Sequence, residues 1–144
     1  MAEVVLDANV IVALLYEEDA LHQRANELID RLERDGHVVA LMDFLVGEAI
    51  SVLCRRARER KTSPPDLRKA IAAVRTWFRE GHVRGMAQEA VRSVDDVLDV
   101  VEQTDGALNF NDALLVVLER KGLIDDLASF DPGFDAVSDF RRIS

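Results

Sequence analysis

At 144 residues and 16.1 kDa the chain has room for one ordinary domain, residues 1–144, and burial of roughly 70% of its unfolded surface gives it a core without staples. Hydrophobic residues at 49% and charged residues at 31% exclude a disordered tail, and the single cysteine, Cys54, excludes an internal disulfide framework and points to a reducing cytosol. A net charge of −9 and a pI near 4.8 exclude a passive basic coat on nucleic acid.

Glu3–Leu6 is a short β-branched run that reads as a strand, ended by Asp7. Ala8 to Tyr16 reads as a helix capped by Asp7. Its apolar run, Val10 to Leu15, has no basic leader and makes a poor signal peptide. No stretch reaches the roughly 20 apolar residues of a membrane span. A second helix runs from about Ala20 to Arg34 and ends near Gly36. Val38–Leu41 is the next strand, and Met42-Asp43 lead into a long helix from Phe44 to about Arg60.

Thr62-Ser-Pro-Pro65 predicts a break and a fresh helix start, since proline fits a first turn. Asp66 to Glu80 is helical, with a weak strand at His82–Arg84. Helical pattern returns from Met86 to Gln103 in what reads as two pieces. A short helix then opens at Asn109–Asn111 and runs to Lys121, stopped by Gly122. Leu127–Ser129 predicts a late strand, Asp131-Pro-Gly133 a turn, and Arg141–Ile143 an edge strand. Strands alternating with helices predict an α/β domain, a parallel sheet of about four or five short strands with helices on both faces. Ligands of such sheets sit beyond the carboxyl ends of the strands. Asp7, Asp43 and Asp131 all stand just past predicted strand ends.

Each acid also has a purely structural reading. Asp7 suits a helix N-cap, Asp112 complements a helix dipole, and Asp131 opens a β-turn. Glu48 is harder to dismiss. Phe44 and Val52 flank it at i−4 and i+4, so it shares a face with expected core residues and needs either a partner, such as a salt bridge to a nearby arginine, or a place at the helix edge. If Asp7, Glu48, Asp112 and Asp131 converge, their repulsion calls for protonation or a cation. Hard oxygen donors without soft ligands select Mg²⁺ or Mn²⁺. His22, His37 and His82 have no paired metal-ligand spacing.

Val5-Leu-Asp-Ala-Asn-Val-Ile11, Phe44-Leu-Val-Gly-Glu48, Asn109-Phe-Asn-Asp-Ala-Leu-Leu115 and Leu127-Ala-Ser-Phe-Asp-Pro-Gly-Phe134 resemble, in order and separation, the four motifs of the PIN-domain nucleases. In length and layout the chain is most similar to the VapC-type toxins of toxin–antitoxin pairs. The resemblance implies a cytoplasmic, metal-dependent endoribonuclease with Asp7, Glu48, Asp112 and Asp131 as its acidic site. Asn9 and Ser129 match supporting polar positions. It also implies an antitoxin partner. One departure stands out: relatives often carry a second acid where this chain has Pro132-Gly133, which leaves the number of bound metals open.

The chemistry implied is phosphodiester hydrolysis of RNA. No G-x-S-x-G elbow or phosphate-binding G-x-x-x-x-G-K-[ST] loop is present. Of the 18 basic residues only Lys61, Lys69 and Lys121 are lysine, leaving 15 arginines, the better grip on phosphate. Arg55, Arg56, Arg58, Arg60 and Lys61 crowd the end of the Glu48 helix. They read either as a solvated cationic helix end or, for Arg56 and Arg60, as RNA contacts. Leu21, Leu28, Trp77 and Phe78 read either as core or as a surface for an antitoxin or a homodimer.

A protein-binding module that cuts nothing is the rival reading, although such a scaffold has no reason to keep four repelling acids. A phosphoacceptor receiver would want an early acidic pair and a late lysine. A haloacid-dehalogenase-type phosphatase needs aspartates two apart, where Asn9 stands instead.

Overall fold

The computed structural model describes residues 2–59 and 64–144. Its strands are β1 (Glu3–Leu6), β2 (Val38–Met42), β3 (Val83–Arg84), β4 (Asp126–Ala128) and β5 (Arg142–Ile143). Its helices are α1 (Ala8–Leu15), α2 (His22–Arg34), α3 (Asp43–Arg58), α4 (Pro64–Arg79), α5 (Ala87–Arg92), α6 (Val94–Gln103) and α7 (Phe110–Arg120). A 3₁₀ turn follows β4 at Pro132–Ala136. Thr62, Ser63, Arg60 and Lys61 lie outside the described residues, and with them part of the expected helix break.

The five strands form one parallel sheet in the order β3-β2-β1-β4-β5. Successive strands step one way from β1 to β3. The chain then crosses back over the sheet and resumes beside β1 with β4. Right-handed crossovers place α1–α4 on one face and α5–α7 on the other. The contacts agree: α1 packs on α2, α3 and α4, while α6 packs on α7. The direction of winding reverses between β1 and β4, so their carboxyl ends open the crevice where sheets of this kind bind ligands.

Burial explains why the central strands read as unbroken apolar runs. Val4, Val5 and Leu6 of β1 and Leu127 and Ala128 of β4 are all buried, as strands covered on both faces must be. α1 (ANVIVALL) buries Ala8, Val10, Ile11, Val12 and Ala13, and α7 buries every residue from Ala113 to Leu118. The expected split of residues 86–103 occurs at Ser93, a buried residue whose Oγ receives a hydrogen bond from Lys121 Nζ at 2.9 Å.

Two expectations about surface and core need correction. Leu28 belongs to the core, so it offers nothing to a partner, and Trp77 packs half-buried against that core. Phe78 is exposed. α3 turns Leu45, Val46, Ala49 and Leu53 inward, which leaves Phe44, Glu48 and Val52 on a half-buried flank, not on the core face.

Candidate active site

The carboxyl end of β1 runs directly into Asp7, whose extended backbone ends the strand while its side chain starts α1. Oδ1 accepts from the Ala8 amide at 2.8 Å. Oδ2 accepts from Ser129 Oγ at 2.6 Å and from Asn9 Nδ2 at 3.2 Å. Ser129 is fully buried just past β4 and also receives Asn9 Nδ2 and the Asp131 amide. Asn9 Oδ1 in turn accepts from the Phe130 amide. Asn9 and Ser129 thus tie the end of β1 to the end of β4, across 120 residues of sequence.

Asp131 caps the 3₁₀ turn, its Oδ1 accepting from the Gly133 amide at 2.8 Å. A Cβ at Gly133 would stand 3.0 Å from that oxygen, so glycine at this position lets the backbone close on the carboxylate. Asp112 sits in the first turn of α7 within a capping box. Its amide donates to Asn109 Oδ1 at 2.9 Å, and its own Oδ2 faces the Asn109 amide. Glu48 projects from α3 and accepts from Asn111 Nδ2 at 3.1 Å. That bond joins the two helical layers over the strand ends. An arginine partner for Glu48 is not what the structure provides; an amide takes that place.

Asp7, Glu48, Asp112 and Asp131 line one cleft of about 200 Å³, with Val12, Leu21 and Val52 among its apolar walls. Asp7 is 4% exposed. Burial pushes its carboxyl above the ordinary aspartate range against the hydrogen bonds of Ser129 and Ala8, with the charges of Glu48 and Asp131 adding. Asp112 is pushed up to about 6, first by burial and then by the charge of Asp7. None of the ion pairs among the described residues involves any of the four.

Arg56 also lines the cleft, and its Nη1 is held by Asp19 Oδ2 at 2.5 Å with the guanidinium 5.9 Å from the Tyr16 ring. Asp43 stands past the end of β2, as expected of an edge acid, but outside the cleft. Its Oδ1 receives the amides of Phe44 and Met86.

Hard oxygens, uncompensated negative charge and no sulfur or imidazole are what Mg²⁺ or Mn²⁺ takes as ligands. The fit is one of chemistry and charge, not of a closed cage. Among the described residues no three His, Cys, Asp or Glu side chains stand together as a finished ligand set. Sequence reasoning assigned no role to Asn109, Asn111 or Asp19. The Asn109-x-x-Asp112 spacing is a capping-box signal. Nothing local marks Asn111 as Glu48's partner, or Asp19 as that of Arg56.

A family model described as PIN domain matches residues 4–139 of the chain. Among solved structures, that of VapC20 from Mycobacterium tuberculosis, described as a sarcin–ricin loop cleaving toxin, superposes with a TM-score of 0.66 at 24% sequence identity. The match covers 97% of this chain and 98% of that one. At this identity the likeness is one of fold. No curated protein sequence matches the chain.

Proposed function

The chain belongs to the PIN domain family, and from that premise we propose that it is a metal-dependent endoribonuclease, the toxin of a toxin–antitoxin pair, with Asp7, Glu48, Asp112 and Asp131 as its catalytic acids. One observation carries this reading. Four carboxylates from four separate stretches line a single cleft at the sheet's switch point, and among the described residues no ion pair offsets any of them. A scaffold gains nothing from such repulsion, whereas a site for a hard divalent cation requires it.

When bound, Mg²⁺ or Mn²⁺ neutralises charge on the phosphate and acidifies water. The carboxylates lining the cleft, Asp7, Glu48, Asp112 and Asp131, are the residues from which its ligands would come. The chain's own residues do the remaining work. Ser129, from the opposite strand end, and Asn9, from the first turn of α1, fix the rotamer of Asp7. Asn111 orients Glu48. Burial and the charge of Asp7 raise Asp112 to about 6, so this acid gains most from the opposite charge of a bound cation. Arg56 places a cation on the cleft wall for an RNA phosphate, once it leaves Asp19. Arg60, the other expected contact, lies outside the described residues.

The fold shared with VapC20 makes a structured RNA a reasonable substrate class. An antitoxin and a second copy of the chain are the partners this reading entails, with the exposed Phe78 on α4 and Val91 and Leu98 on α5 and α6 as apolar surface open to them. No described helix is long and apolar enough to cross a membrane. A single cysteine suits a cytoplasmic setting.

Incubation with mixed RNA and Mg²⁺ or Mn²⁺ should give endonucleolytic products that EDTA abolishes. Asp7→Asn should reduce the rate at least a hundredfold, on the order of losing one charged group at a metal site. Cleavage persisting in that variant would remove the proposed site. Intact RNA with both proteins would leave the protein-binding module.

A further inference from the structure

We propose that a second hollow beside the cleft is a guanine-binding subsite for the RNA strand; the inference rests on the nuclease reading and adds the base it selects. The hollow measures about 270 Å³ and is walled by Phe44, Met86, Phe110 and Leu114, with Asp43 and Asn111 as its polar groups. Phe110, at the first position of α7, is 40% exposed. An apolar face of that kind beside an acidic cleft suits a planar base, because stacking on an aromatic ring is the usual way a single-stranded base is held.

Asn111 connects the two spaces. Its Nδ2 gives one of its two hydrogens to Glu48 in the cleft, and no hydrogen bond among the described residues reaches its Oδ1, which is left as an acceptor. Asp43 Oδ1 is taken by the amides of Phe44 and Met86, while no hydrogen bond among the described residues reaches Oδ2. The polar groups of the hollow therefore offer acceptors. Guanine is the base whose pairing edge presents two adjacent N–H donors. Adenine and cytosine pair one donor with a ring-nitrogen acceptor, and uracil sets its donor between two carbonyls, so each would bring acceptor against acceptor here. A carboxylate so near a polyanion is otherwise a liability, and donation from guanine offsets it.

The test is titration of the whole, metal-free protein with GMP, AMP, CMP and UMP, followed by amide chemical shifts in NMR. GMP should shift the amides of Met86, Ala87, Phe110 and Asn111 and saturate at a concentration roughly tenfold below the other three, the scale of a hydrogen bond to a charged group. Asp43→Asn keeps an oxygen for the two backbone amides and turns an NH₂ into the hollow. It should weaken GMP roughly tenfold and favour AMP or CMP. Phe110→Ala, at an exposed position, should weaken all four.

Equal responses to the four nucleotides would overturn the subsite. So would shifts that follow protein concentration instead of nucleotide, which would mark the hollow as a contact between copies. RNA cleavage without the GMP response overturns the subsite alone. The GMP response without cleavage supports the subsite and counts only against the nuclease reading.

Discussion

Asp7 meets two demands with one side chain: Oδ1 closes the first turn of α1 and Oδ2 is pinned by Ser129 and Asn9. The structural and functional readings of this residue are therefore compatible, because a carboxylate has lone pairs enough for a cap and a site. Asp112 is the more revealing acid. Burial and the charge of Asp7 raise its folded pKa to about 6 from 3.8. Between those values the native state holds more protons than the unfolded chain, so stability falls as pH rises toward 6, and the whole cost is felt above it. The group is only half-buried, so after screening by solvent the cost is about 1 kcal/mol. A divalent cation reverses the sign, since it favours the ionised form and stabilises by binding only the folded state. The Tm gained from a fixed Mg²⁺ or Mn²⁺ concentration should thus grow between pH 5 and pH 7.5. A gain independent of pH would separate Asp112 from the ion.

At the scale of elements, α7 is the piece that brings the site together. Its core face, Ala113 to Leu118, is wholly buried, and its first turn carries both Asp112 and the Asn111 that holds Glu48. The Asn109 cap sets where that turn begins. Asn109→Ala should cost about 1 kcal/mol in urea denaturation, the usual loss for a side-chain N-cap, and should weaken cleavage by loosening Asp112 and Asn111 together. A variant with full stability and full activity would show that the cap positions nothing. Helix α3 shows the limit of reading faces from spacing. Phe44 and Val52 were fair signals that Glu48 is partly buried. Yet the core stripe is one position away, at Leu45, Ala49 and Leu53. Glu48 stands beside it, close enough to be shielded and far enough to reach the cleft. Arg56, two turns on, pairs with Asp19 instead.

For the molecule as a whole, a net charge of −9 means that an RNA substrate, under the proposed function, would have to be drawn by local cations against the mean field. Among the described residues, Arg56 is the basic residue that lines the cleft. Phosphate must displace Asp19 to reach it, which makes its contribution to binding one of exchange. Arg56→Ala should flatten the dependence of log affinity on log salt by roughly 0.7, the value of one phosphate contact on a single strand. An unchanged slope would place the RNA elsewhere.

From the sequence alone come the elements and their order: apolar β-branched runs bounded by Asp7 and by Gly36, the helix opening at Asn109–Asn111, and the stop at Gly122, whose φ is +71°. These follow from local rules, because caps, turns and periodicities involve residues a few positions apart. Two acids at strand ends and two on helices were visible in the same way, whereas the supporting positions Asn9 and Ser129 came only from the resemblance to the PIN-domain nucleases. Tertiary structure alone decided which partner each acid has: Ser129 for Asp7, Asn111 for Glu48, and Asp19 for Arg56. Those pairs lie 122, 63 and 37 residues apart. The first two exist because winding reverses between β1 and β4, which brings both strand ends and both helical layers together, while the third joins α3 to the loop between α1 and α2 within one layer. No pattern within one stretch of chain records that reversal.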